Sequence, residues 1–332
     1  MRSEKKQTRM LNGLQEEYRN KVINKIKNVY TLEDRPCFCG SRKATSIFDR
    51  DRYGLPLNFV FCDNCGQIRM DPVINEKDYS DFYDNDYRKL YLGENSPTEQ
   101  FFNSQNKSGE AIVKILNKYG VDLKCKEILE VGCGAGGILK IFQNNGAKVS
   151  GVDYDSSYIE YGIRNHGLEL KSGGVEKLKE FGRKYDIIVL HHVFEHFADP
   201  LKEIREIMIY LKDKESIIFV AVPGLTDMVS WNDFRELFHI AHPFQYTLRT
   251  LNNIMARVNL SPLVANGSIF ALYLQRKGNL ELNNRRFSVI KERVYCELMK
   301  RSEFFRFFKN IYMIYLKIRK TVKNILKRES IK

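Results

Sequence analysis

Hydrophobic positions between residues 127 and 276 alternate between two spacings. Short segments rich in valine, isoleucine and leucine are separated by stretches with apolar residues at helical intervals, which is typical of a parallel sheet covered by helices on both faces. We predict strands at 127–132, 148–152, 168–170, 185–190, 216–222, 262–266 and 268–276, and helices at 137–145, 155–166, 175–181, 199–211 and 247–258. The last two strands follow each other directly, so we expect them to form an antiparallel edge of the same α/β sheet.

The sequence on either side of this α/β region differs from it in composition. Val22, Ile26 and Val29 have helical spacing and predict a helix near the start of the chain. We therefore divide the chain into an N-terminal helix (1–32), a cysteine-containing module (33–76), a tyrosine-rich linker or lid (77–107), the α/β domain (108–278) and a helical tail (279–332).

Four of the seven cysteines occur as two close pairs, Cys37 with Cys39 and Cys62 with Cys65. Each pair is followed by a glycine, which permits a tight turn behind the thiols. Four cysteines at this spacing, with no histidine nearby, are typical of a closed structural zinc site, and four unconnected reduced thiols are the alternative. We expect a zinc-ribbon-like module in which these four residues are the metal ligands.

Tyr79, Tyr83, Tyr87 and Tyr91 recur every four residues and would form one stripe along a helix. Such a stripe is most often an aromatic face packed on a core. The functional alternative is a lid whose phenols reach a substrate, which makes Tyr79 and Tyr83 candidate catalytic residues.

The segment from Ile128 to Gly137 carries the strongest chemical signal in the sequence. A predicted strand that contains Glu130 runs into a turn and then into a helix, and the turn contains Gly132, Gly134 and Gly136. Glycines in such a turn let the backbone approach a ligand and direct helix N–H groups toward it. Asp153, at the end of the next predicted strand, can accept two hydrogen bonds from a ribose. This turn is compatible with an NAD-type dinucleotide and also with another cofactor that contains a ribose.

The E-x-G-x-G-x-G form of the turn resembles that of the class I S-adenosylmethionine-dependent methyltransferases, and residues 108–277 follow that family's order of elements. The resemblance implies a Rossmann-like seven-stranded sheet with S-adenosylmethionine as cofactor. It implies that the motif from Glu130 to Gly136 surrounds the amino-acid part of the cofactor, that Asp153 holds the ribose and that Tyr154 flanks the adenine. Gly174 and Val175 would contact the adenine through their backbone, since the acidic residue often found there is missing.

A second segment, from His191 to Pro200, matches the HVxEHxxDP form of the same family. The resemblance places His191 near the methionine part of the cofactor and makes His192 a candidate catalytic residue. Asp199 and Pro200 are also a typical N-cap and first residue of a helix, so part of this motif has a structural explanation.

The cysteine module, the tyrosine-rich segment and the methyltransferase motifs together resemble the nucleotide-sugar C-methyltransferases over about Cys37 to Gln245. This implies a sugar nucleotide or glycan precursor as the acceptor, methylated on carbon or oxygen in surface polysaccharide synthesis. His239 and His242 are candidate general bases because an imidazole titrates near neutrality, and local packing is the alternative. The family has Glu before its histidine where this chain has Phe238, and its further α/β domain is not evident after Lys277.

Basic residues are concentrated in the predicted tail. The net charge is +13, and the segment from Arg285 onward contains 15 basic and 4 acidic residues. Apolar residues at helical spacing make this tail a basic amphipathic helix, suited to an anionic membrane surface or to docking on the body or a second protomer. The body is close to neutral, which disfavours a nucleic acid partner. No run of 18 apolar residues and no signal-type segment is present, so we expect a cytoplasmic protein. If the tail binds the membrane and not the body or a partner, the protein is peripheral at the inner membrane face.

Three functions remain open from the sequence. The first is a methyltransferase acting on a sugar nucleotide or glycan precursor. The second is an O-methyltransferase for a lipid-linked or quinone-like small molecule. The third is a non-catalytic scaffold that binds the cofactor or a membrane.

Overall fold

The computed structural model describes residues 10–93, 97–225, 234–265 and 270–276. The predicted tail (279–332) lies outside these residues. The helices are α1 Gly13–Asn28, α2 Glu76–Asn85, α3 Tyr87–Tyr91, α4 Glu99–Lys118, α5 Gly137–Asn144, α6 Ser156–His166, α7 Pro200–Met208 and α8 Leu248–Ala256. The strands are β1 Leu32–Glu33, β2 Ala44–Phe48, β3 Phe59–Cys62, β4 Ile68–Met70, β5 Val73–Ile74, β6 Glu127–Val131, β7 Lys148–Asp153, β8 Leu170–Ser172, β9 Ile187–His191, β10 Ile217–Ala221, β11 Phe244–Gln245, β12 Leu260–Ala265 and β13 Phe270–Gln275.

A mixed sheet forms the centre of the larger part of the molecule. Within the described residues it has seven strands, in the order β12-β13-β10-β9-β6-β7-β8. Strands β6 to β10 pair in parallel, and β13 pairs antiparallel with both β10 and β12. The predicted α/β sheet with an antiparallel edge is confirmed. Buried Val, Ile, Leu and Phe side chains cover both of its faces, which explains the nearly continuous apolar runs of its strands.

Two predicted elements of the sheet region differ from the structure. The predicted helix at 175–181 is a 3-10 helix, Val175–Phe181, which ends at Gly182 with φ of +63°. The third strand begins two residues later than predicted, because Gly167 caps the preceding helix in the left-handed conformation and Leu168 still packs with the core.

The cysteine module forms a smaller sheet with an unexpected member. Among the described residues its strands lie in the order β11-β4-β3-β2. Strand β11, Phe244–Gln245, comes from beyond the fifth strand of the large sheet and pairs antiparallel with β4. The sequence predicted no strand at this position, since two residues carry no recognisable alternation. The pairing ties the late part of the chain to the cysteine module.

The tyrosine stripe occupies two helices, α2 and α3, rather than one. Between them Asp86 is fully buried and its carboxylate accepts from Lys25 at 2.7 Å and pairs with Lys21 at 3.1 Å. Tyr79 is packed in the core, whereas Tyr83 and Tyr87 are partly buried at its edge. The stripe therefore packs on the core, and it also lines a cavity. The lid that reaches a substrate stays a prediction.

Helix α4 crosses residues 107 and 108, where we separated the linker from the α/β domain. It packs against α5 at Gly109, where a Cβ atom would lie 3.0 Å from Ile141 Cβ. Among the residues that the structure describes, none of the helices combines the length and the apolarity needed to cross a bilayer.

Candidate active site

A cavity of about 420 Å³ lies at the carboxyl ends of β6, β7 and β9. Ligands of open α/β sheets bind at this edge, where parallel strands end and loops begin. Helices α2, α3 and α4 form the opposite wall. The predicted site residues that line the cavity are Tyr79, Tyr83, Gly132, Gly134, Asp153, Tyr154, Gly174, Val175, His191, His192 and His242.

The glycine-rich turn after β6 leaves room for a ligand because Gly132 and Gly134, which line the cavity, have no side chains. Gly132 has φ of +72°, and a Cβ atom there would lie 2.6 Å from Val193 Cγ2. Gly134 has φ of +55°, and its N–H donates to Asp153 Oδ2 at 2.8 Å. Both conformations favour glycine, so the backbone itself forms this wall of the cavity. Gly136 caps α5 and faces the core, where a Cβ atom would meet Leu168 Cδ1 at 2.6 Å.

Asp153 is held from two sides at the end of β7. Its Oδ1 accepts the N–H of Asp155 at 3.0 Å, and the guanidinium of Arg88 lies 3.5 Å away. Tyr154 lines the cavity next to Gly174, and its ring stacks at 6.4 Å on that of Tyr83. Asp153 and Tyr154 thus both line the cavity at the end of β7.

Glu130 does not belong to the cavity wall. It is 1% exposed beneath the glycine turn, and burial followed by the charge of Asp153 raises its pKa well above the usual range. Its place in the E-x-G-x-G-x-G motif is thus structural in this chain, not a direct contact from the cavity.

Two cavity residues were not found from the sequence. Arg88 of α3 packs its guanidinium 4.2 Å from the ring of Tyr158, and Gln105 of α4 donates to the carbonyl of Cys133 at 2.9 Å. Arg88 directly follows Tyr87 of the tyrosine stripe, and this position in the sequence could have indicated that it lies near the cavity. Gln105 lies in a helix without any motif, so only the fold could place it.

Histidines gather around one carboxylate beyond the tip of β9. Glu195 is 2% exposed, and its Oε1 lies 3.4 Å from His192 Nδ1 and 4.0 Å from His242 Nε2. Burial lowers the pKa of His242 well below its usual range. Burial also acts to lower the pKa of His192, but Glu195 outweighs it, so this pKa is raised. His191, at the strand tip, has its pKa lowered to about 3 by burial and by His192.

His196 is oriented by a hydrogen bond to Tyr83. The hydroxyl of Tyr83 lies 2.9 Å from the carbonyl of Ala241 and 2.8 Å from His196 Nδ1. In the tautomer that carries its proton on Nδ1, His196 donates to the phenol oxygen, the phenol donates to Ala241, and the lone pair is on Nε2. Burial lowers the pKa of this imidazole, which keeps it neutral at pH 7.

The two histidines singled out in the late loop have different positions. His242 lines the cavity, and its ring lies 4.7 Å from that of His196. His239 is 1% exposed and lies outside the cavity lining, with its ring centroid 3.7 Å from that of His242 and the two rings tilted by 44°. Tyr79 reaches the same loop, since its hydroxyl donates to the carbonyl of Ile240. The structure thus gives His242, but not His239, direct access to a ligand.

Within the part of the chain that the structure describes, two groups of side chains have the donor atoms and closeness needed to hold a metal ion. The four predicted cysteines bring their sulfur atoms within 4.8 Å of one another, with 3.4 Å between Cys37 and Cys65 and 3.6 Å between Cys39 and Cys62. Zinc–sulfur bonds of ~2.3 Å in a tetrahedron place sulfur atoms nearly 4 Å apart, so the set fits Zn²⁺. Glu195, His196 and His242 form the second group.

Comparisons with known proteins agree with this geometry. A family described as "Methyltransferase domain" matches residues 99–264, half of the chain. Ubiquinone biosynthesis O-methyltransferase from Coxiella burnetii (strain Dugway 5J108-111) is 29% identical over 108 residues, 31% of this chain and 46% of that protein. The protein of the same name from Vibrio vulnificus (strain YJ016) is 30% identical over 101 residues, 28% of this chain and 43% of that protein. The chain thus spans less than half the length of these relatives.

Magnesium protoporphyrin IX methyltransferase from Synechocystis PCC 6803, solved with bound S-adenosylmethionine, is among the similar structures. It is 12% identical, with 60% of this chain and 96% of that chain covered at a TM-score of 0.43. The family match covers half of the chain, and its segment contains the glycine turn, Asp153 and the histidine motif. The chain therefore belongs to the methyltransferase-domain family.

Proposed function

We propose that the protein is an S-adenosylmethionine-dependent methyltransferase that transfers the methyl group to the hydroxyl oxygen of a small aromatic acceptor of the phenol, catechol or quinol type. The observation that carries the proposal is the imidazole of His196, which lines the cavity and is oriented by the hydrogen bond between its Nδ1 and Tyr83. A hydroxyl becomes a good nucleophile when a base takes its proton, and a neutral imidazole is suited to that task.

The acidity of the acceptor decides how much such a base can contribute. Phenolic hydroxyls have a pKa of about 10, as tyrosine does, so an imidazole base can accept their proton as the methyl group is transferred. An alcohol of a sugar is a much weaker acid and would gain less from the same group. Glu195, buried beside His196, stabilises the imidazolium that forms when the proton arrives.

Aromatic side chains give the cavity a wall on which a planar ring can stack. The ring of Tyr83 lies 5.0 Å from that of Tyr87, which stacks at 5.3 Å on Tyr91. Aromatic rings pack well in offset or edge-to-face arrangements with one another. The names of the curated relatives, ubiquinone biosynthesis O-methyltransferases, support an acceptor of this class.

Cofactor positioning follows from the residues on the other side of the cavity. We propose that Asp153 accepts hydrogen bonds from the ribose, that Tyr154 and Gly174 flank the adenine and that Gly132 and Gly134 leave room for the methionine part. When bound, S-adenosylmethionine supplies the methyl group. We also propose that Cys37, Cys39, Cys62 and Cys65 hold one structural zinc ion.

Product analysis with an isotope label tests the acceptor class. Purified protein is incubated with S-adenosylmethionine carrying a ¹³C methyl group and a panel of catechols, hydroquinols and sugar nucleotides. We expect an O–¹³CH₃ resonance with an aromatic acceptor, and a loss of ~100-fold or more in rate for His196→Gln. His166→Gln is the matched control. The ring of His166 stacks on that of Phe102, with 3.6 Å between the centroids, and His166 does not line the cavity. A C-methyl product, or methylation of sugars alone, would contradict the proposal.

A sugar acceptor is the second candidate. The observation in its favour is the combination of the cysteine module with Tyr79 and Tyr83, which resembles the nucleotide-sugar C-methyltransferases. Aromatic walls also bind sugar rings, and His242 and His196 could take a proton from a carbon next to a carbonyl. The same labelling experiment separates the two candidates by the atom that carries the label.

A further inference from the structure

The segment that carries His242 is hydrogen-bonded to the cysteine module. Its Phe238 carbonyl accepts from the N–H of Arg52 at 2.8 Å, and its Pro243 carbonyl accepts from the N–H of Met70 at 2.7 Å. Strand β11 follows directly and pairs with β4. One wall of the acceptor cavity is therefore built on the cysteine module.

A buried chain of hydrogen bonds leads from the four cysteines to this wall. The N–H of Cys62 donates to the carbonyl of Gln67 at 2.9 Å. The side-chain amide of Gln67 donates to the carbonyl of Gln245 at 2.8 Å, and the amide of Gln245 donates to the carbonyl of His242 at 3.2 Å. Both glutamine residues are 2% exposed. Polar side chains are kept in such surroundings only when they are hydrogen-bonded, so their partners define their positions.

A second contact joins the same parts of the molecule. The guanidinium of Arg249, one residue into α8, donates to the carbonyl of Cys65 at 2.7 Å. The turn from Cys62 to Gly66 is itself closed by a hydrogen bond of 2.9 Å. Whatever fixes the thiols thus also fixes the carbonyls and N–H groups that contact Gln67 and α8.

We propose that Gln67 and Gln245 are positioning residues that couple occupancy of the four-cysteine site to the position of His242 in the acceptor cavity. A metal ion bound by the thiols holds the Cys62 turn in one conformation, and the two buried amides carry that constraint to the His242 backbone. The cofactor half of the cavity is built on β6, β7 and α4 and lies outside this path. Loss of the constraint therefore changes the acceptor wall and leaves cofactor binding intact.

The test follows His242 directly and needs no acceptor. Protein with ¹³Cε1-labelled histidine is prepared as wild type, Gln67→Leu and Gln245→Leu, all loaded with zinc, and the His242 resonance is assigned from its loss in His242→Asn. We expect zinc content to stay at one per chain and S-adenosylhomocysteine affinity to change by less than about twofold. The His242 resonance should shift in both leucine variants. Gln143→Leu, an exposed glutamine of α5, is the matched control and should show no shift.

The second half of the test removes zinc with a chelator from the wild type and from Gln67→Leu, so that the two effects form a double-mutant-type cycle. Coupling predicts a shift of the His242 resonance in the wild type and a smaller one in Gln67→Leu, because the path is already interrupted there. An unchanged His242 resonance in zinc-loaded Gln67→Leu and Gln245→Leu would overturn the proposal. Equal responses of wild type and Gln67→Leu to chelation would also overturn it. If chelation unfolds the protein, the His242 resonances of the zinc-loaded variants still test the proposal. A wrong acceptor class would not alter any of these readouts.

Discussion

The hydroxyl of Tyr83 lies 2.8 Å from Nδ1 of His196 and joins helix α2 to the loop beyond β9. The same oxygen donates to the carbonyl of Ala241, next to His242. One phenol thus connects three segments that are distant in sequence and orients the imidazole of His196. The tyrosine stripe acts through this contact as well as through packing.

Replacement of Tyr83 by phenylalanine should lower kcat by about tenfold, because the imidazole of His196 loses an orienting hydrogen bond of about 1 kcal/mol. The affinity for S-adenosylhomocysteine, measured by calorimetry, should not change. Tyr119→Phe is the matched control, since Tyr119 is 37% exposed at the end of α4. An equal loss of cofactor affinity in Tyr83→Phe would show that the phenol supports the fold and not the base.

The pH dependence of kcat/KM should have an acidic limb set by His196. Burial lowers the pKa of this imidazole from its usual value of 6.5, so the base form persists through neutrality and is lost only below the lowered pKa. Activity should therefore be constant near pH 7 and fall about tenfold per unit at lower pH. The residual activity of His196→Gln should lack this limb. A limb centred above pH 7 would exclude His196 as the base.

Substitution of Asp153 by alanine should weaken S-adenosylhomocysteine binding by about 1–3 kcal/mol through the loss of a charged acceptor. Calorimetric titration measures the effect. Glu110→Ala removes an exposed carboxylate from α4 and serves as the control. An affinity equal to that of the wild type would mean that a different group holds the ribose.

Gly134→Arg should abolish cofactor binding. A Cβ atom at this position would lie 2.8 Å from Gln105 Nε2, and the longer side chain would fill the cavity. Gly120→Arg provides a control with the same type of backbone, because Gly120 has φ of +75° and open space around its Cβ position. Both variants strain a left-handed residue, so a difference between them in calorimetry reports on the cavity alone. Retained binding in Gly134→Arg would contradict the site.

Cys62→Ser should reduce zinc from one ion per chain to none and lower Tm by roughly 5 °C or more, since metal binding contributes to folding. Elemental analysis and thermal unfolding measure the two effects. Cys125→Ser, which changes an exposed cysteine of the α/β domain, should alter neither. A wild-type protein purified without zinc, and indifferent to added zinc, would refute the metal site.

The sequence was most informative where local patterns decide structure. The glycine turn and the apolar strands of the large sheet were predicted to within one or two residues. Left-handed turns favour glycine and buried strands favour apolar residues, so both can be recognised in the local sequence. Asp199 was predicted as an N-cap, and its side chain accepts the N–H of Lys202 at 3.1 Å. Such elements depend on a few neighbouring residues, so a single sequence suffices to predict them.

The sequence was least informative where distant segments meet. Strand β11 exists because β4 offers an edge, and nothing in Phe244 or Gln245 indicates that partner. The role of Gln105 depends on the carbonyl of Cys133, and the orientation of His196 depends on Tyr83. His239 and His242 have the same chemistry and lie three residues apart, so only the packing of the loop could show which one faces the cavity.

The pairing of β11 with β4 also has a consequence for the order in which the protein can assemble during synthesis. The cysteine module emerges from the ribosome long before Phe244. The edge of β4 therefore stays unpaired until β11 has been synthesised. An open strand edge is a site for pairing with other chains. Fragments that end before residue 244 should therefore tend to aggregate, and the two parts of the molecule mature as one unit.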